Sequence, residues 1–412
     1  MAGVSILATP RGPCFEARCF SSTRRLLLVL VVFYLGFVAM SPALNAFGWR
    51  GIYSLFAALL FIPFVVYRES IFLKKWFLLG VFAVVLTSIV PAFYWQDLRY
   101  VAFPVFLLTS LYVIQYVDRD SLEKLISLVS AFMLLLLLMA VFGFILAIYG
   151  VEPVLSFNNP DGRPNFLYFT TLTNSFRGDM IRPSGIYDEP GALSLYVCAV
   201  AAIRHLSDRD NRLTWVILLL GFVTLSLAHL IYVFVHLLSE RFNKKNSLRF
   251  LLLGGVVLVV LLASNMHMLI NDVLFSRLSF DEAGAIAGDN RSFRMLNAIY
   301  IIKSDPMVVF FGVHPSCVFD YNVCKEMFPL MGENPLSPVA FQGMFLAWPY
   351  YVALLLLLFA AFKGKKNLVC LGFALLLLQR PGVASISMSM VVVLVSLVAV
   401  RSIRGKSAGD SA

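Results

Sequence analysis

Charge is scarce in this chain: 14% of its 412 residues are Asp, Glu, Lys or Arg, against about 25% in a soluble domain. A water-facing surface needs more polar cover than that, which excludes a soluble enzyme, and the chain is too apolar to be disordered. Cysteine is scarce as well, and six in 412 residues exclude a small fold held by disulfides. Soluble-enzyme signatures are missing: there is no phosphate-binding Walker loop, no dinucleotide glycine fingerprint, no His-Glu-x-x-His and no Gly-x-Ser-x-Gly. What is abundant is oil. Hydrophobic residues make up 60%, with 37 Phe and 16 Tyr, and the mean hydropathy is +0.85. The composition therefore predicts an all-α polytopic membrane protein. In such a chain a net charge of +10 is a topology signal and says nothing for nucleic acid.

Apolar runs near the length that crosses a bilayer fall at 26–47, 51–67, 76–94, 100–117, 125–149, 190–203, 248–270 and 339–362. The stretch 368–400 is apolar except at Gln379-Arg380-Pro381-Gly382, a turn between two helices. Residues 214–238 are flanked by Arg204, Arg209 and Arg212 before, and by Arg241, Lys244, Lys245 and Arg249 after. A single helix would leave one cluster outside, whereas two short helices meeting near 224–229 keep both inside. The layout is then about 12 spans with both termini cytoplasmic. It puts 22 of the 33 basic residues on cytoplasmic segments and 11 outside, as the positive-inside rule requires. Its parts are a cytoplasmic segment 1–25, a five-helix half 26–149, a first large loop 150–189 and central helices 190–270. A second large loop 271–338, C-terminal helices 339–400 and a cytoplasmic tail 401–412 complete it. The run from Leu26 is too long for a signal h-region and lacks a clear small-x-small cleavage site, so it is expected as an uncleaved first helix.

Loops of 40 and 68 residues exceed ordinary connections, and such loops are usually functional. The first carries a turn signal, Asn158-Asn159-Pro160-Asp161-Gly162-Arg163-Pro164, and ends at Arg182-Pro183-Ser184-Gly185-Ile186-Tyr187-Asp188-Glu189-Pro190. Asp188 and Glu189 read as acids at a helix start with Pro at the first position, a reading that leaves Arg182 without a role. The second loop carries Asp289-Asn290-Arg291-Ser292-Phe293-Arg294. Asp or Asn can cap a helix there and Pro306 stops it. Arg291 and Arg294, three apart, share a face; an interfacial amphipathic helix with a solvated side accounts for that spacing without a site. His229 and His236 lie seven apart with no evident third ligand, so buried, satisfied histidines are expected and no metal site. Cys317 and Cys324 share the second loop and could pair if that side is oxidising. Outside cations are nine Arg and two Lys, and Arg forms planar bidentate pairs with phosphate.

Four places have a recurring form. Arg182 to Pro190 fits Arg-x-x-Gly-hydrophobic-aromatic-x-Glu-Pro entering a helix, and Thr224-Leu225-Ser226 sits at an outer turn. Arg291 through Phe310-Phe311-Gly312 fits Arg, amphipathic helix, Pro, Gly; Asn334-Pro335-Leu336 with Gly343 resembles an Asn-x-x-Leu and Gly element entering a late span, with the Leu one position closer to the Asn. In this order across 182–343 they resemble the bacterial O-antigen polymerase and O-antigen ligase superfamily, membrane glycosyltransferases with a glycosyltransferase-C-like architecture. Two positions depart from it: the Arg expected after Ser226 is Leu227, with His229 the nearest cation, and the His that precedes Asn in ligases is Glu333. The second departure favours polymerase.

The resemblance implies transfer of a growing glycan from undecaprenyl-pyrophosphate to a lipid-linked repeat unit, at the periplasmic face of a bacterial inner membrane. It implies no metal or other cofactor. Arg182 and Arg291 are the expected catalytic cations for the departing pyrophosphate, and Glu189 or Asp188 the expected general base. Arg294, Arg163, Arg177, Tyr187, His229 and Asn334 are expected in substrate binding. Implied partners are lipid-linked glycans, the lipid bilayer, a chain-length regulator and a flippase. A ligase acting on lipid A–core, a polysaccharide transporter or flippase, and a purely structural membrane partner remain alternatives.

Overall fold

Long Leu, Val, Phe and Ala runs carry too little polar surface to hydrogen-bond outside themselves, so their backbones are satisfied only by internal i→i−4 bonds. The computed structural model accordingly is mostly helical. It describes residues 22–39, 41–42, 44, 75–158, 164–177, 180–240, 290–319, 332–382 and 385–409. The helices are α1 (Ser22–Phe33), α2 (Lys75–Trp95), α3 (Ala102–Ile114), α4 (Arg119–Ile148), α5 (Pro190–Leu206), α6 (Asn211–Leu220) and α7 (Leu227–Ser239). They continue as α8 (Asn290–Ser304), α9 (Met307–Phe311), α10 (Pro315–Phe319), α11 (Ser337–Ala361), α12 (Val369–Gln379) and α13 (Ile386–Gly409). Among the described residues, three stretches are long and apolar enough to cross a membrane: Arg119–Ile148, Ser337–Ala361 and Ile386–Ile403. Other apolar helices, among them Ala102–Ile114 and Pro190–Leu206, are shorter. The expected spans 51–67 and 248–270 lie outside the described residues.

Helix α5 is the axis of the core. Every residue from Leu193 to Leu206 is buried, and its Ala199, Ala201 and Ala202 let neighbouring helices approach closely. Helices α4, α6, α7, α12 and α13 all pack on it. Its two ends, at Glu189 and at His205, are roughly 25 Å apart by the helical rise. At the His205 end, buried Arg204 ties three helices together. Its Nε donates to Thr214 Oγ1 (3.0 Å), Nη1 to Ser130 Oγ (2.8 Å) and Nη2 to the Asp210 carbonyl (2.9 Å). Nearby, Arg25 of α1 pairs with Asp118 (3.3 Å) and Asp120 (2.6 Å) at the start of α4.

The chain reverses between α6 and α7. A 3-10 turn, Gly221–Thr224, ends on Leu225 in the left-handed conformation (φ 48°), and α7 returns alongside α6. Trp215 Nε1 then donates to Glu240 Oε1 at 2.8 Å, which puts the two open ends of the hairpin together.

The fold is mostly helical, as expected, with a few short strands in the first loop. Strands β1 (Leu155–Asn158), β2 (Pro164–Tyr168) and β3 (Thr171–Thr173) form an antiparallel sheet, and β4 (Phe176–Arg177) pairs with β5 (Met180–Ile181). Thr and Phe in short alternating runs suit a half-buried pleated surface better than a helix. The sheet is seated on α4 at Gly143, where a Cβ would lie 2.5 Å from Thr171 Cγ2. It also anchors the segment leading into α5: Ser184 N–H donates to the Leu172 carbonyl, Leu172 N–H to that of Gly185, and Thr173 Oγ1 to that of Arg182.

The second stretch docks through two glycines. Gly312, at φ +72°, lies against Phe341 and Gln342, and Gly343, at φ +67° inside α11, lies against the Phe310 carbonyl. Either Cβ would overlap backbone. The Val313 N–H completes the joint on the Ala340 carbonyl at 2.9 Å.

Candidate functional site at the Arg380 turn

Helix α12 ends at Gln379, and Arg380 caps it with its N–H on the Leu376 carbonyl. Its guanidinium turns toward the start of α5. Arg380 Nη2 donates to Glu189 Oε2, and Nη1 to Glu333 Oε2 at 3.3 Å. The Arg380 side chain is 15% exposed, that of Glu189 23% and that of Glu333 42%, so Glu333 is the open member. Gly191 provides the space: a Cβ there would lie 2.6 Å from Arg380 Nη2. Burial would lower the Arg380 pKa, but the carboxylates of Glu333 and Glu189, with Asp188 adding to them, hold it above its ordinary value. The Arg380 Nε is buried without a hydrogen-bond partner among the described residues.

Glu189 stands at the N-cap of α5, yet its side chain makes no capping hydrogen bond. The helix-start reading therefore accounts for the position and Arg380 for the carboxylate. Arg182 is half-buried and docks on the hairpin tip: Nε and Nη2 donate to the Thr224 carbonyl (3.3 and 3.2 Å), and Nη2 to that of Leu225 (3.0 Å). Nη1 reaches Ser175 Oγ at 3.3 Å. Most of its donors are thus spent on the turn.

Tyr187 is buried, stacked on Tyr196 at 4.3 Å between ring centres, with its hydroxyl on the Phe37 carbonyl. His229 is fully buried beneath Gly221, with Nε2 2.8 Å from the Leu218 carbonyl. Neither side chain presents a surface to a substrate. Asn334 is also buried and ties the second stretch together: Nδ2 donates to the Arg294 carbonyl (3.4 Å), and Oδ1 accepts from Leu336 N–H (2.9 Å). The Arg294 side chain is half-buried over Gly332. Arg163 and the side chains of Arg177 and Arg291 lie outside the described residues. Cys317 is disulfide-bonded; Cys324, its expected partner, also lies outside them.

The four motif segments assemble as two docked pairs. Arg182 joins the first segment to the Thr224–Leu225 turn, and Asn334 with Gly312 and Gly343 joins the last two. Arg380 then links the pairs, through Glu189 in one and Glu333 in the other. Sequence reasoning assigned neither Arg380 nor Glu333 a role; the available signal was one cation in an otherwise apolar 33-residue stretch, 368–400.

Two apolar grooves reach this turn from different sides. One, about 350 Å³, is lined by Ala228, Ile231, Met295, Gly372 and Leu375 and ends at Pro335 and Gln379. The other, about 560 Å³, runs between α2, α3, α11 and α13 from Gln115 to Pro381 and Gly382. The arrangement can hold a hydroxylated head group at an ion-paired cluster while apolar chains lie in the grooves. A scan against protein-family models finds no matching family, and a search of curated proteins finds no matching relative.

Proposed function

We propose that this chain is a membrane glycosyltransferase, an O-antigen or related polysaccharide polymerase, that joins two lipid-linked glycans at the Arg380 turn. One observation carries the reading: Arg380, in a polar cluster with Glu189 and Glu333, is flanked in the chain by Gln379, which lines one apolar groove, and by Pro381 and Gly382, which line the other. A reaction with two lipid-linked substrates needs two such grooves meeting at one polar point. In the reaction the acceptor hydroxyl oxygen attacks the anomeric carbon of the donor glycan as its bond to pyrophosphate breaks. The hydroxyl proton passes to a carboxylate, with Glu333 the accessible candidate, and the carrier pyrophosphate leaves with the electron pair. Cations preorganised at that point would stabilise the developing charge; Arg380 and Arg294 are the candidates, since most of the Arg182 donors are taken up by the Thr224–Leu225 turn.

The proposal puts the Arg380 turn on the periplasmic side of a bacterial inner membrane, with about 12 spans and both termini cytoplasmic. The biased distribution of basic residues supports this orientation. So does the disulfide at Cys317, which fits an oxidising compartment.

The test uses purified protein in lipid vesicles supplied with undecaprenyl-pyrophosphate-linked repeat units, with products separated on a gel. A ladder of longer lipid-linked glycans, lost in Arg380→Ala and Glu333→Gln, is the expected result. A wild-type ladder from both variants would remove the site. Transfer only to added lipid A–core would make the chain a ligase, and movement across the bilayer without bond formation would make it a flippase.

A further inference from the structure

At the far end of α5 from the Arg380 turn lies a second polar group that the transferase reading does not use. His205 closes α5, His236 closes α7, and Glu240 comes one turn later. Their ligand atoms lie within 4.8 Å of one another. His236 is fully buried, and among the described residues neither of its ring nitrogens has a hydrogen-bond partner. Buried polar atoms are almost always satisfied, so two orphan nitrogens on one ring call for an explanation.

The surrounding bonds prepare these atoms as donors of electron pairs. Ser239 Oγ donates to the His236 carbonyl at 2.6 Å, so it accepts from His205 Nε2 at 3.3 Å. That assigns the proton to Nε2, while a backbone hydrogen bond with Lys366 also acts on this ring. Trp215 Nε1 holds Glu240 Oε1 at 2.8 Å, and the same oxygen is 4.0 Å from His236 Nε2. Such outer hydrogen bonds orient the ligands at metal sites. The nearby cations Lys366 and Arg209 are each paired with an acid, Asp208 and Glu123.

We propose that His205, His236 and Glu240 bind a divalent transition-metal ion of the zinc class. Two imidazoles and one carboxylate are a ligand set that suits Zn²⁺. Tetrahedral ligands about 2.0–2.1 Å from the ion stand roughly 3.3 Å apart, which side-chain torsions reach from the observed separations. The fourth position opens to a polar cavity of about 1600 Å³ lined by His205, Ser239 and Glu240, which provides both a water ligand and an entry path. The bound ion would clip the open end of the α6–α7 hairpin to α5. This site stands apart from the transferase reading, and either can fail without the other.

The experiment takes tag-free, chelator-treated protein in detergent and adds Zn²⁺ or Co²⁺. One Zn²⁺ retained per chain, the visible bands of tetrahedral Co²⁺, and a Zn²⁺-dependent rise in Tm are expected. His236→Gln and Glu240→Gln should each weaken binding at least 10-fold and abolish the Tm rise. Metal-free Tm for both variants, compared with that of metal-free wild type, checks that they fold. No Zn²⁺ retained by the wild type, or the same affinity in well-folded variants, would overturn the proposal.

Discussion

A carboxylate left facing a removed guanidinium is more costly than the pair was worth, because its charge stays in a poorly hydrated place. Arg380→Ala removes the buried partner of Glu189, and since both side chains are less than one quarter exposed, the variant should be less stable than wild type. Glu333, 42% exposed, is rehydrated easily, and Glu333→Gln should cost under about 1 kcal/mol. Denaturant unfolding in detergent distinguishes the two. Gly191→Ala adds a good helix former but drives a Cβ into the guanidinium. It should therefore disturb the Arg380–Glu189 pair while leaving α5 helical by circular dichroism. At this scale the sequence announced residue types better than partners. Arg380 was visible as a lone cation, but its partners are 191 and 47 positions away, beyond any periodicity. Tyr187 was legible as an aromatic beside acids, and only packing against Tyr196 and Phe37 turns it inward.

Elements were legible where local chemistry decides them. The helix expected after Asp289 and before Pro306 is α8, Asn290–Ser304. The reversal expected near 224–229 falls at Leu225, whose left-handed conformation ends the turn after Thr224. The small sheet was not legible: its strands are two to five residues long, too short for alternation to stand out. Nor was the joint between Gly312 and Gly343, which depends on two backbones meeting. Gly343→Ala would meet both the Phe310 carbonyl and an unfavourable positive φ, and should destabilise by at least about 2 kcal/mol. The same change at Gly80, whose Cβ would meet nothing within 4 Å, should be neutral or slightly stabilising. Thermal unfolding of the pair checks this. The α1–α4 clamp makes a pH prediction. Burial would raise the Asp118 carboxyl, but the Ser121 hydrogen bonds and Arg25 outweigh it and hold it below its ordinary value. Its contribution is then present above the unfolded pKa of about 3.9 and lost as pH falls through the lower folded value. Wild type and Asp118→Asn should differ in Tm at neutral pH and converge in acid.

At the scale of the whole molecule, hydropathy and basic residues set out a layout, while the structure adds that the Arg380 turn and the His205 end lie at opposite poles of α5. The proposed orientation, supported by the charge bias and the Cys317 disulfide, can be checked directly. Phe169, exposed on the sheet loop, and Asp208, beyond the end of α5, should report opposite sides. A Phe169→Cys chain should react with an impermeant maleimide in spheroplasts, and Asp208→Cys only after permeabilisation. The two grooves give a sharper test, since each should serve one lipid-linked substrate. Leu375→Trp would fill the groove beside α7 and α8, and Gly80→Trp the groove between α2 and α11. Both positions are partly exposed, so the fold should tolerate the bulk. Each variant should stop chain extension while retaining half of the wild-type stoichiometry of bound undecaprenyl-pyrophosphate glycan, and the double variant should bind none. If one variant extends chains normally, its groove does not carry a substrate. The two-lipid geometry at Arg380 would then have to be abandoned, although the polar cluster itself would stand.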